Sequence, residues 1–331
     1  MKTVKWGIIG CGNIANNFAQ SLATLDDGEL LAAGSKTPGK AEALAKKFNV
    51  EKDYTNYEDL LLDQEVDVVY VATTHNFHYE NVLQCLNHGK HVLCEKVFTM
   101  NSKQANHLRN VARSKKLFLM EAMWTRFLPA TKEINKIISE GTIGDIKFLE
   151  VEFSFRKTDL NGRFYNIDLA GGSLLDQGIY TISYASMIFQ KQPNSIKTNA
   201  CMAPTGVDER GSHIFEYEDG RAAFITNSIA YYRRVNALIA GTKGHIEVPG
   251  FLAAKNFNVK VGDKEIEYKI PFESTGKGYE AQEVMDCIRA GKIQSDIMPI
   301  DETVEILETM DAIRNQWGLK YPDIMEKCGA Q

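Results

Sequence analysis

The 331-residue sequence has no apolar run of the roughly eighteen residues that a membrane-crossing helix needs, and no charged segment followed by an apolar stretch at its start. Both absences predict a soluble, cytoplasmic protein. It also lacks any block of five or six like charges, and a net charge of −5 with a pI near 5.9 offers no general basic face. Nucleic acid and anionic membrane are therefore not expected as partners. The six cysteines, at positions 11, 85, 94, 201, 287 and 328, form no Cys-x-x-Cys pair and are too sparse for a disulfide scaffold, which fits a reducing compartment. Histidine is also scarce. His75/His78 and His88/His91 are each three apart, but no partner ligands stand at matching spacing, so no metal site is expected.

What is present begins seven residues in. Ile8-Ile9-Gly10-Cys11-Gly12-Asn13-Ile14-Ala15 reads as a buried strand passing through a Gly-x-Gly-x-x-Ala turn into a helix. Gly10 allows the tight turn, Gly12 lets backbone approach a pyrophosphate, and the small Ala15 permits close helix-strand packing, leaving the phosphate at the helix's positive end. The flanking pattern supports this: an apolar strand from Val4 precedes it, and Ile14, Phe18, Ser21, Leu22 and Leu25 follow at helical spacing.

The second strand, Glu29 to Gly34, ends where a carboxylate would hold the ribose of NAD. No acid stands there. Ser35 and Lys36 offer a hydroxyl and a cation instead, so NADP(H) is expected over NAD(H); Asp26, Asp27 and Glu29 lie at the strand's far end.

Length and a hydrophobic content of 44% bound the chain to two domains. Residues 1–123 alternate short strands with helices, as in a Rossmann domain with a doubly wound parallel sheet. Val66 to Ala72 reads as a central strand, Thr37-Pro38 as the start of a helix through Phe48, and Asn101-x-x-Gln104 as a capping box opening a helix to Lys115. A linking helix follows from Pro129 to Glu140. Beyond it, in 124–331, the rhythm changes to strands at Ile146–Phe155, Ser195–Met202, His213–Tyr217, Ala222–Ile229 and Val235–Ala240. Asp219-Gly220 and Gly241-Thr242-Lys243-Gly244 read as hairpins, so this α+β domain should carry a large, mostly antiparallel open sheet. One strong helix, Leu174 to Phe189, interrupts it, and an amphipathic helix from Asp301 to Trp317 ends the pattern.

Ligands of doubly wound sheets lie outside the carboxyl ends of the strands. Thr73-Thr74, Glu95-Lys96 and Glu121-Trp124 occupy those ends. Further on, the glycine turn Gly171-Gly172 enters a helix that carries Asp176 and Tyr180 four apart on one face.

These motifs together, GCGNIA, Glu95-Lys96, Gly-Gly-x-Leu-x-Asp-x-Gly-x-Tyr and the GTKG hairpin, resemble the glucose-fructose oxidoreductase/inositol dehydrogenase (Gfo/Idh/MocA) family over nearly the whole chain. Met120-Glu121-Ala122-Met123-Trp124-Thr125-Arg126-Phe127 with a tyrosine at 180 is most similar to its dimeric dihydrodiol dehydrogenase/D-xylose dehydrogenase branch. The resemblance implies catalytic roles for Lys96, Asp176 and Tyr180, cofactor contacts at Gly10, Gly12, Asn13, Ile14, Ser35, Lys36, Thr73, Glu95 and Lys96, and a further histidine at His78. Trp124, Arg126, Phe155 and Asp176 are candidate substrate contacts. Val97 stands where the family usually has proline, which leaves Lys96 less constrained.

The implied reaction is hydride transfer between nicotinamide and a sugar or vicinal diol, with Tyr180 moving the hydroxyl proton and Lys96 assisting. A tyrosine ionises near pH 10, so serving as a base near pH 7 takes about 4 kcal/mol of phenolate stabilisation, whereas serving as an acid takes none. The fold alone also permits a catalytically silent dinucleotide sensor, over which the presence of both Lys96 and Tyr180 favours an enzyme, or an enzyme that recycles a permanently held cofactor. The resemblance also implies a homodimer, and the second sheet's sparsely covered face suits a symmetric one.

Overall fold

The short apolar segments of the N-terminal part pair in parallel, because helices between them can cover both faces of the sheet they form. In the computed structural model, which describes residues 2–329, β1 (Val4–Ile9), β2 (Gly28–Gly34), β3 (Lys52–Tyr54), β4 (Val68–Val71), β5 (His91–Glu95) and β6 (Leu119–Ala122) run in the order β3-β2-β1-β4-β5-β6. All five pairings are parallel. Between them lie α1 (Asn13–Leu22), α2 (Lys40–Phe48), α3 (Tyr57–Leu62), α4 (His78–Asn87) and α5 (Ser102–Lys115). β4 is buried throughout, as its unbroken apolar run requires. Asn101 caps α5 by accepting the Gln104 amide at 3.0 Å.

One local expectation fails. α2 does not begin at Pro38: Gly39 adopts a φ of +74°, outside the helical region, and the Lys40 amide closes a turn onto the Thr37 carbonyl. Thr37-Pro38 therefore shapes the turn that leads to the helix rather than its first residues.

The second sheet has eight strands in the order β14-β13-β12-β11-β7-β10-β9-β8. These are β7 (Ile146–Ser154), β8 (Ser195–Met202), β9 (Asp208–Glu216), β10 (Ala222–Ser228), β11 (Val235–Gly241), β12 (Gly244–Pro249), β13 (Asn256–Val261) and β14 (Lys264–Lys269). Only β7 with β10 is parallel; the other six pairings are antiparallel. α6 (Pro129–Ser139) precedes the sheet, and α7 (Ile179–Phe189) is buried along nearly its whole surface. α8 (Gly278–Arg289) and α9 (Ile300–Trp317) follow it. No helix among the described residues is long and apolar enough to cross a membrane.

The chain divides into two compact units. One takes in residues up to Trp124, Glu273–Thr303 and the stretch from Lys327; the other takes Thr125–Phe272 and Val304–Glu326. The expected division into 1–123 and 124–331 follows the motifs along the chain, whereas these units follow packing, which returns Glu273–Thr303 to the first. α8 packs on α1, burying Ala281, Val284 and Met285, and Arg289 at its end pairs with Asp27 at 2.6 Å. Polar spacing around these few apolar residues hid the helix from a periodicity reading, and the sparsely apolar β13 and β14 escaped it for the same reason.

A chain of hydrogen bonds, half-buried at Trp317 and Thr198 and buried beyond them, ties the second sheet to the start of the α7 segment. Trp317 Nε1 donates to Thr198 Oγ1 at 2.9 Å, and Thr198 Oγ1 meets His213 Nδ1 at 2.9 Å. His213 Nε2 meets Asn227 Oδ1 at 2.9 Å, Asn227 Nδ2 donates to Ser173 Oγ at 2.7 Å, and Ser173 donates to Asp208 Oδ2 at 2.8 Å. Indole and amide donors leave one consistent direction, in which His213 is neutral and protonated on Nε2. Burial agrees, lowering the His213 pKa to about 4. Asp208 also accepts the Leu174 amide at 2.7 Å, and burial pushes its carboxyl up to about 7 against the pull of these donors.

A carboxyl with a folded pKa above its unfolded one gives stability that is complete below about pH 4 and lost as pH rises through 7. Asp208→Asn keeps an acceptor oxygen and cannot ionise. Its Tm relative to the unmodified protein should therefore climb by several degrees between pH 4.5 and 8; a flat difference would refute the raised pKa.

Candidate active site

β1 ends in a turn that only glycine can make. Gly10 has φ +90°, and a Cβ there would lie 2.8 Å from backbone atoms of Ala72 and Thr73. Gly12 precedes α1, and a Cβ built on it meets nothing within 4 Å. α1 has no side-chain cap and no acid in its first turn, so the amides around Asn13 and Ile14 and the positive end of the helix are unspent. This chemistry fits a pyrophosphate. Cys11 donates to the Gly34 carbonyl at 3.4 Å, and burial holds its thiol up at about 11, so it adds no charge to the turn.

At the end of β2, Ser35 is buried and its Oγ accepts the Thr37 amide at 3.1 Å, while exposed Lys36 places Nζ 4.9 Å from the Tyr57 ring centre. No acid enters this turn. Asp27 is held by Arg289 at the other end of the strand.

The ends of β4 and β5 are joined by His78, whose Nε2 meets the Thr73 carbonyl at 3.0 Å and whose Nδ1 meets the Val97 carbonyl at 2.8 Å. Burial lowers its pKa, so a neutral ring donates to one of the two. Thr73 Oγ1 accepts from Asn81 Nδ2 at 3.0 Å. The Lys96-Val97 peptide is cis, and Val97 is fully buried. The Lys96 amide donates to Glu95 Oε2 at 3.2 Å.

Glu95 is 4% exposed. Its Oε1 accepts from the Tyr70 hydroxyl and, at 2.7 Å, from Lys277 Nζ; burial raises its pKa, but Lys277 outweighs this and leaves it below the ordinary carboxylate value. Lys277 also lies 3.5 Å from Glu280 and 5.7 Å from the ring centre of half-buried Trp124. Sequence reasoning passed over Lys277 and Glu280, which sit just ahead of α8 and in its first turn, in a stretch with no motif. The available signal was Glu95 itself, since a carboxylate ending a buried strand requires a cation from somewhere.

In the second unit, Gly172 has φ +115° and faces Asp208, where a Cβ would lie 2.3 Å from Oδ1. The following residues do not start an α-helix. Leu174–Gly178 forms a π-helical turn before α7 begins at Ile179, so the expected single helix from Leu174, with Asp176 and Tyr180 at α-helical spacing, is corrected. Asp176 lies in that turn, accepting from Arg163 Nη2 at 3.2 Å and Gln177 Nε2 at 3.0 Å. Tyr180 is 8% exposed, with its ring edge-on to Phe153 at 5.8 Å. Phe155 packs at 5.6 Å from both Phe153 and Phe164, and Lys157 and Arg163 lie over the Phe164 ring at 4.5 and 4.3 Å. Arg126 lies ahead of α6. It is buried, and it donates to Ser183 Oγ at 3.0 Å and Ser183 O at 2.8 Å, so it also clamps α7.

Residues 4–123 match a family model described as the oxidoreductase family, NAD-binding Rossmann fold, and residues 131–247 match the GFO/IDH/MocA C-terminal domain. Among curated proteins, the trans-1,2-dihydrobenzene-1,2-diol dehydrogenase of Xenopus laevis is 37% identical, covering 96% of this chain and 99% of the relative. That of Mus musculus is 36% identical, covering 96% and 98%. Among solved structures, an aldose-aldose oxidoreductase from Caulobacter crescentus complexed with glycerol has a TM-score of 0.88 at 20% identity, covering 96% of this chain and 98% of that one. A 3-ketoreductase from Actinomadura kijaniata in complex with NADP and TDP-benzene has a TM-score of 0.83 at 23% identity, covering 95% and 98%. With both family domains matched in order and relatives similar from end to end, the chain belongs to the Gfo/Idh/MocA family of oxidoreductases.

Proposed function

We propose that this protein is an NADP-dependent dehydrogenase acting on the CH–OH group of a vicinal diol or sugar, with Tyr180 as the proton donor and acceptor and Lys96 assisting it. The observation that carries the reading is full-length similarity, at 37% identity, to a dehydrogenase of a cyclic vicinal diol. The residues agree with it. Gly10, Gly12, Asn13 and Ile14 would hold the pyrophosphate, and Thr73, Glu95 and Lys96 would lie along the rest of the cofactor. A nicotinamide held there would supply the acceptor or donor of the hydride at the carbinol carbon. In oxidation Tyr180 takes the hydroxyl proton, and in reduction it supplies that proton to the carbonyl oxygen. Asp176 orients the substrate, and Trp124 and Phe155 give it apolar walls. Six free cysteines suit a cytoplasmic setting.

Turnover on a panel of aldoses, inositols, cyclic diols and dicarbonyls with NADP(H) tests the reading, and silence across the panel would overturn it. On the best substrate, Tyr180→Phe should lower kcat by about 10²- to 10⁴-fold with NADPH affinity nearly unchanged. Lys96→Met should do similar damage, and the double variant should lose far less than the product of the two.

Ser35 and Lys36 should favour a 2′-phosphate by charge-assisted bonds worth about 1.5–3 kcal/mol. Lys36→Asp should erase or reverse the preference for NADPH in fluorescence titrations; equal affinity for both cofactors in the unmodified protein would refute it.

The second sheet supplies a dimer interface in this reading. Phe224 is 49% exposed, stands opposite Ile214 at 39%, and packs edge-on with Phe148 at 4.9 Å, a cluster of the kind that a second copy covers. Sedimentation should give a dimer at micromolar concentration, and Phe224→Lys should shift it to monomer; a monomeric parent protein would refute the interface.

A further inference from the structure

One cation faces two buried carboxyl groups beside Lys96. Lys277 Nζ lies 2.7 Å from Glu95 Oε1 and 3.5 Å from Glu280 Oε1, and the three side chains are 5%, 6% and 0% exposed. Glu280 Oε2 has no hydrogen-bond partner, so nothing there compensates a second negative charge. Burial pushes Glu280 up to about 8, and it is protonated at neutral pH. The lysine's charge therefore goes to Glu95. Without it, Glu95 would keep only the Tyr70 hydroxyl, the Lys96 amide and the lesser pull of the Lys96 charge against its burial, and carboxylates so placed take up a proton. The ionised carboxylate is the better acceptor, and the bond it accepts through Oε2 comes from the amide of Lys96.

We propose that Lys277 is a positioning residue for the reaction: by keeping Glu95 ionised, it fixes the backbone that presents Lys96. This rests on the assignment of Lys96 above. Lys277 reaches Glu95, Glu280 and the Trp124 ring. Its influence passes through one carboxylate, and the consequence is a dependence on that carboxylate's charge.

In Lys277→Met, Glu95 should bind a proton at neutral pH, and kcat should fall about 10- to 100-fold while NADPH affinity stays within about threefold. The variant's kcat should then recover as pH rises from 6 to 9 and Glu95 ionises again, a limb that the parent protein lacks. The other titratable groups facing Glu95 are Tyr70, Lys96, Glu280, His78 and Cys94. Lys96→Met combined with Lys277→Met should be no slower than Lys96→Met alone. Glu95→Gln serves as the second variant, because Glu280 can then ionise against Lys277 and keep the site folded; its kcat should fall similarly but without a pH-dependent recovery. Normal turnover in Lys277→Met or Glu95→Gln, beside a damaged Lys96→Met, overturns this inference alone. A fully additive double variant does the same. Normal turnover in Lys96→Met overturns the assignment beneath it.

Discussion

A carboxylate buried at the end of β5 must be matched by a cation, and the build of the first unit follows from that demand. Glu95 gathers the Tyr70 hydroxyl from β4, the amide of its own neighbour Lys96, and the ammonium of Lys277. Removing one partner of such a pair typically costs about 3–5 kcal/mol, because the survivor stays buried and uncompensated. Apolar burial alone does not explain why the chain returns to this unit after the second sheet. Ala281, Val284 and Met285 would be satisfied against any apolar surface, whereas the lysine just ahead of α8 is satisfied at a carboxylate. The pairing of Arg289 with Asp27 fixes the other end of the same helix.

The second unit answers a different demand with neutral groups. Its sheet places His213 and Asn227 on a covered face, where each polar atom needs a partner or costs roughly 1–3 kcal/mol. The chain from Trp317 to Asp208 meets that need while carrying no charge until its last member. Asp208, the first residue of β9, accepts from Ser173 and Leu174 and so decides where the turn ahead of α7 begins. The π-helical turn that carries Asp176 is thus held from behind by a network several strands wide.

Legibility in the sequence tracked how local the governing physics was. β1, β5, the capping of α5 and the burial of β4 depend on alternation, unbroken apolar runs and one Asn-x-x-Gln pair, all within a few residues of each other. The phosphate turn was legible for the same reason, since its glycines answer to their own φ and to adjacent strands. α2 was misjudged because a Thr-Pro helix start and a Thr-Pro turn share their first residues, and only the conformation of Gly39 separates them. The π-helical turn was invisible because nothing in Leu174–Gly178 conflicts with an α-helix; the register is imposed from Asp208, some thirty positions away. Lys277 was hidden most deeply. Its meaning lies in a partner on another element.

Val97 shows how a departure from a family pattern is absorbed. Proline would constrain the backbone after Lys96 through its ring and offer no N–H. In its absence, side chains hold the segment from both sides: Glu95 accepts the Lys96 amide, the Val97 carbonyl meets His78, and Glu121 accepts the Phe98 amide at 3.0 Å. The amides of Lys96 and Phe98 are thus fixed by buried carboxylates, and the Val97 carbonyl between them faces a buried imidazole. A ring constrains one torsion whatever the pH, but these bonds depend on the protonation of two carboxylates and an imidazole. The backbone at Lys96 is therefore tied to the charge state of its surroundings, and the segment that a family proline would stiffen locally is here held by buried polar groups of the unit's core.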